Sequence, residues 1–198
     1  MKRILLCAAL LLCGTVSAQD WGDLLKKVAT EAADKVTGGK LTEAAIAGCW
    51  NYAAPAVKFE GNDLLSGLGG TAMESTVTTR LEKAYALVGI RPGAASFTFT
   101  KEKTFTAVLG KAKNLSGTYA FDPETHEIRL TFDKTSKFRL GTLTGHAYIR
   151  GSELQLLFPV TKLVEVVTEL GSKVSSLQTV AKLLEKYKEV YLGFAFEK

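Results

Sequence analysis

Cysteine, histidine and proline are scarce in this chain. Its 198 residues include three cysteines, two histidines and four prolines. Two of the cysteines, Cys7 and Cys13, fall within the first 18 residues, which read as a removable leader. Cys49 is then alone, which excludes an internal disulfide from an exported chain. With no basic neighbour to lower its pKa, Cys49 reads as a small buried hydrophobe and not as a reactive thiol. His126 and His146 stand on different strands with no cysteine or second histidine at ligand spacing, so no metal site is expected. No local motif suggests a Ser-His-Asp arrangement. Gly67-Leu68-Gly69-Gly70 lacks the lysine and hydroxyl of a phosphate loop. Glu124 and Glu127 flank a turn and are expected to face solvent. No catalytic residue and no cofactor site emerge, and the chain does not read as an enzyme.

Charge of one sign is not in large excess either. Losing Lys2 and Arg3 with the leader takes Lys+Arg from 25 to 23 against 20 Asp+Glu, leaving a formal +3. That balance is too mild for nucleic acid, and no basic stripe with interleaved aromatics accompanies it. No apolar run reaches the roughly 20 residues of a membrane-spanning helix.

What is present begins with Lys2-Arg3, the apolar run Ile4 to Leu12 and the small residues Val16-Ser17-Ala18. This is a secretory signal pattern with cleavage expected after Ala18, placing the protein in the periplasm or outside the cell. Leu12, directly before Cys13, argues against lipidation, where a small residue is needed. The expected organisation is a signal peptide over 1–18, a helical segment over 19–47 and one barrel domain over 48–198. A hydrophobic content of 46% supplies a sizeable core.

From Asp20 to Thr37, Trp21, Leu24, Leu25, Val28, Ala32 and Val36 recur every three or four residues, and Gly38-Gly39 ends the pattern. The polar face of this amphipathic helix mixes both charge signs, so membrane contact is not predicted. Thr42 reads as the N-cap of a further helical turn. The stretch Gly48-Cys49-Trp50-Asn51-Tyr52 to Phe59 opens the first strand, and Pro55 within it marks an edge or a bulge. Asp63 to Val88 is helical, with Leu64, Leu65 and Leu68 before a break at Gly69-Gly70, a stripe of Met73, Val77, Leu81, Tyr85 and Val88 after it, and a stop at Gly89 and Pro92.

From Ala94 the period changes to two. Phe97 and Phe99, then Thr104 to Leu109, then Leu115, Gly117, Tyr119 and Phe121, then Ile128, Leu130 and Phe132 mark successive strands. Arg139 to Arg150 and Leu154, Leu156 and Phe158 complete them. Asp122-Pro123-Glu124-Thr125 is a type I turn, and Gly151-Ser152 a type II′ hairpin loop. Pro159 starts a helix whose stripe Leu163, Val167, Leu170, Val174, Leu177, Ala181 and Leu184 is interrupted at Gly171-Ser172. Val190, Leu192, Phe194 and Phe196 form a terminal strand too apolar to remain an open edge.

One early, six middle and one terminal strand make eight, which close into an antiparallel up-and-down barrel when the last pairs with the first. The fold class is mainly β with α, with a helical insertion after the first strand and a long helix before the last. Gly48-x-Trp50 resembles the Gly-x-Trp signature at the first strand of lipocalins, where the tryptophan packs across one end of the barrel. With Pro55 to Phe59, Gly69-Gly70, Ser116-Gly117-Thr118-Tyr119, Leu157-Phe158, Lys162-Leu163 and Leu192-Gly193-Phe194, the chain resembles an exported lipocalin-like family of Bacteroidota-type bacteria with no established activity. The resemblance runs from about Asp20 to Lys198 and implies a fold without an activity. The helical insertion, the helix before the last strand and the missing disulfide depart from ordinary lipocalins.

Trp50 is expected to be structural. The inward faces carry Phe97, Phe99, Tyr119, Phe121, Ile128, Leu130 and Phe132. Two readings stand: these residues line a pocket for a small hydrophobic or amphipathic ligand, fatty acid-like, or they fill the barrel as a core. An acyl chain burying about 300 Å² would gross about 7 kcal/mol before ordering costs, which caps affinity near micromolar. Arg129 and Arg139 are the cations nearest a barrel mouth. Both stand at polar-face positions.

Overall fold

A computed structural model describes residues 32–59, 68–134, 140–171, 175–184 and 190–198. The expected leader, most of the first helix, Leu64, Leu65 and Arg139 lie outside the described residues. The elements are α1 (described over residues 32–36), α2 (Lys40–Ile46), β1 (Gly48–Phe59), α3 (Leu68–Val88), β2 (Ala95–Phe99), β3 (Thr104–Leu109), β4 (Ala112–Asp122), β5 (Glu127–Phe132), β6 (Thr142–Arg150), β7 (Glu153–Pro159), α4 (Val160–Gly171), α5 (Ser175–Leu184) and β8 (Val190–Glu197).

The eight strands form one closed barrel in sequence order, every neighbour antiparallel. The seam that closes it pairs Phe59 with Val190 at one end and Asn51 with Glu197 at the other. Closure leaves no sheet edge to template aggregation, which is how so apolar a terminal strand is tolerated. The register of β1 on β8 slips between Tyr52 and Ala54, a bulge just before Pro55. That placement suits a residue with no N–H to give to the ladder. Gly151 takes φ 68 while Ser152 keeps a negative φ, as the β6–β7 type II′ loop requires.

Period-two burial holds along the strands. β2 reads buried at Ala95, Phe97 and Phe99, and β5 at Ile128, Leu130 and Phe132. The same alternation corrects one expectation. Trp50 points in, so Cys49 beside it points out, and the thiol is exposed.

The helices needed more correction. α3 runs through Gly69-Gly70 instead of breaking there. Both glycines fall in its first turn, where the backbone N–H groups have no intrahelical acceptor anyway. Their propensity cost of about 1 kcal/mol each is offset further along by Val77, Leu81, Tyr85 and Val88, all essentially fully buried. Thr42 is not a cap. α2 starts at Lys40 behind Gly39 in a left-handed conformation, and Thr42 sits buried inside it. Pro159 closes β7 opposite Tyr191, and α4 begins one residue later. The last helix is two, α4 ending at Gly171 and α5 opening at Ser175, and Ser172 lies outside the described residues. β6 begins at Thr142 and not at Arg139, because Gly141 turns the chain with φ 59. Val36, which the spacing places on an apolar face, is 87% exposed, and the buried residue of that turn is Asp34.

Candidate functional site

The barrel has two differently closed ends. At the first, α2 leads into β1 and Trp50 turns inward, 1% exposed. Its indole N–H donates to the Ile46 carbonyl at 2.7 Å. That carbonyl belongs to the last turn of α2, where no helical donor is left to meet it. Lys198 lies over the outer face of the indole, its Nζ 4.7 Å from the ring centroid. Gly48 holds φ 143, a conformation that side-chain-bearing residues avoid. The Gly-x-Trp pattern thus has a physical basis: one residue turns the backbone and the other plugs the floor.

A buried polar cluster secures the same end. Asp34 from α1 is 3% exposed and Thr42 from α2 fully buried. Asp34 Oδ1 accepts the Thr42 backbone N–H at 2.9 Å. Its Oδ2 accepts the Thr42 hydroxyl and stands 2.9 Å from His126 Nε2. The Thr42 hydroxyl oxygen accepts in turn from the Ile149 N–H of β6 at 3.2 Å. Burial pushes the Asp34 carboxyl up, but the Thr42 hydroxyl, the Thr42 amide and His126 together outweigh it and hold the group below its ordinary value. His126 lies in the β4–β5 turn and not on a strand, with φ 57, its ring stacked 4.8 Å from Tyr148. His146 stacks 6.2 Å from the same Tyr148 ring, so the two histidines converge on one aromatic.

A carboxylate, an imidazole and a hydroxyl together invite comparison with a nucleophilic triad. The order is wrong for one. The hydroxyl gives its proton to the carboxylate and not to the imidazole, and it is sealed from solvent. The cluster is a fastening.

At the opposite end α3 enters the barrel mouth. Tyr85 is fully buried, its ring 4.8 Å from Phe194 and 6.2 Å from Tyr52, and its hydroxyl donates to the Gly193 carbonyl at 3.0 Å. Burial first, and the neighbouring Tyr52 second, push its pKa far up, so it remains a neutral donor.

All seven predicted lining residues point into this interior, at 9% exposure or less. Phe97 stacks on Phe99 at 5.5 Å, Phe99 meets the Tyr119 edge at 5.0 Å, and Phe105 meets Phe132 at 5.0 Å. The Tyr119 hydroxyl donates to the Thr100 carbonyl at 2.9 Å. Phe105, Tyr52 and Tyr85, with Phe194 and Phe196 of β8, extend the aromatic set and are not among the expected lining residues. Their period-two and helical spacing was visible. That Tyr85 ends up inside the barrel was not. Arg129 is exposed beside Glu127, 3.2 Å away. Among the described residues no group of three or more His, Cys, Asp or Glu is placed to hold a metal ion, and no helix is long and apolar enough to cross a membrane.

A closed eight-stranded up-and-down barrel with a Gly-x-Trp floor defines a lipocalin-like protein. The chain belongs to the lipocalin-like domain family DUF4923, whose sequence model matches residues 22–198. No characterised protein with curated annotation matches it. Among solved structures it is similar to a DUF4847 family protein from Bacteroides vulgatus, at 19% identity and a TM-score of 0.39, covering 78% of this chain and 96% of that one.

Proposed function

We propose that the protein is an exported, non-catalytic module of the cell envelope, with a side-chain-filled barrel as a rigid scaffold for contacts made on its outside. Tyr85 carries this reading. A helix side chain occupies the lumen and is hydrogen-bonded to its wall, where a lipocalin-type guest would sit. The aromatic contacts among Phe97, Phe99, Phe105, Tyr119 and Phe132 support it, since side chains already meeting at 5 to 6 Å leave those faces to one another. The leader pattern at residues 1–18 supports export. The competing reading is a fatty acid-like guest inside the barrel. Native mass spectrometry of gently purified protein separates the two: the bare chain mass is expected, and a stoichiometric lipid adduct would overturn the filled scaffold. N-terminal sequencing of the protein from a fractionated cell tests export, with Gln19 as the expected first residue.

A further inference from the structure

The α1–α2 turn is packed inside out. The residues it buries are Asp34, Gly39, Thr42 and Ile46, only one of them a large hydrophobe. Gly39 lies so close to the Pro123 carbonyl that no side chain would fit there. The other apolar side chains point away from the barrel. Ala32 and Ala44 are exposed, Val36 is 87% exposed and Leu41 39%. Val36 and Leu41 are two of the three large hydrophobics exposed among the described residues. Apolar surface is ordinarily the part a fold hides, so polar groups inside and apolar groups outside mark a face with an apolar partner. Upstream the sequence continues the stripe at Val28, Leu25, Leu24 and Trp21, which lie outside the described residues.

The free charges on this face are basic. Mixed signs in the sequence spoke against a membrane, but the fold takes both acids of residues 32–46 out of play. Asp34 is withdrawn against Thr42 and His126, and Glu43 pairs with Lys103 at 3.3 Å. Lys35 and Lys40 make no ion pair among the described residues. Each directly precedes an exposed hydrophobe, Val36 or Leu41. A flexible lysine stem lets the ammonium reach a headgroup phosphate while its neighbour enters the acyl boundary. We propose that the α1–α2 turn seats the barrel floor on an anionic phospholipid surface, with Val36 and Leu41 inserted and Lys35 and Lys40 on the phosphates. This contact rests on the exported-scaffold reading above, whose outside partner it names, and the lumen plays no part in it.

The test is sedimentation of the chain from Gln19 to Lys198 with vesicles of phosphatidylglycerol and phosphatidylcholine, about one to two, against phosphatidylcholine alone. Partition onto the anionic vesicles is expected to be at least about tenfold stronger and to fall as salt rises. Val36→Asp and Leu41→Asp, checked by thermal melting to be folded, are each expected to weaken it roughly tenfold. Lys35→Gln and Lys40→Gln are expected to weaken it roughly fivefold each. Leu87 is 67% exposed at the α3 end, and Leu87→Asp is expected to leave partition unchanged. No partition, equal partition onto both vesicles, or Val36→Asp and Leu41→Asp binding like wild type would each overturn the assignment. So would self-association abolished by Val36→Asp without vesicle binding, which would make the face a contact between copies. Native mass spectrometry reads the lumen separately. A bare mass beside failed vesicle binding leaves the filled scaffold standing, and a lipid adduct beside binding that needs Val36 overturns the filled lumen alone.

Discussion

The two ends of the barrel are closed by opposite chemistries. The Trp50 end is fastened by hydrogen bonds: the indole to Ile46, and Asp34 to Thr42 and His126, with Thr42 passing the connection on to Ile149. The α3 end is closed by apolar bulk, Val77, Leu81, Tyr85 and Val88, with the Tyr85 hydroxyl as its polar anchor. Directional bonds set one geometry and tolerate no substitute, whereas apolar packing resists loss of volume. The floor should therefore fail locally and with pH, and the plugged mouth should fail globally and with cavity size.

Tyr85→Ala is the largest expected effect. It removes a buried aromatic ring and should cost about 3–5 kcal/mol by urea denaturation, with the whole barrel melting earlier. A cost below about 1 kcal/mol would mean that α3 does not fill the mouth. Asp34→Ala should cost about 2–3 kcal/mol, because it strands the buried Thr42 N–H and takes the partner from the part-buried His126 ring. Hydrogen exchange should speed up first at Thr42 and Ile149, and uniform acceleration over all strands would erase the proposed difference between the ends. Tyr85→Phe keeps the ring and leaves the Gly193 carbonyl without that donor, for about 1–2 kcal/mol.

Acid sharpens the contrast further. The folded Asp34 titrates below its ordinary 3.8. Between the two values the unfolded chain binds more protons, so stability rises with pH there. The contribution is complete above 3.8 and is lost as pH falls through the lower, folded value. Wild type should therefore lose stability below pH 3.8 more steeply than Asp34→Asn, and parallel acid limbs would remove Asp34 as the cause. The smallest effect is chemical. Exposed Cys49 should react fully with a thiol reagent in the folded protein without shifting its melting temperature, and protection until unfolding would contradict its outward placement.

The strands were legible because half of each faces a core, and that geometry writes period two into Phe97 to Phe99 and Ile128 to Phe132. Gly48 and Trp50 were legible because a backbone turn and a large indole are local requirements. Cys49 was within reach of the same logic, since one residue from an inward Trp50 must face outward. The helices were harder. Their stripes were visible, but glycine carries different consequences in a first turn and in a helix middle, and spacing alone did not place Gly69-Gly70. The Asp34–His126 contact spans 92 residues in sequence and follows no local pattern. Nor does any periodicity tell that Tyr85 reaches across to Gly193, 108 residues on. The candidate site suffered most from this. The sequence indicated which residues face inward and left open whether they surround space or one another.

The most direct measurement is a fluorescence titration of wild type and Tyr85→Ala with a fatty acid-like probe. The filled barrel predicts no saturable uptake by wild type and new uptake by Tyr85→Ala, whose lost ring leaves an apolar void. One-to-one uptake by wild type, unchanged in Tyr85→Ala, would show an open chamber that α3 does not occupy.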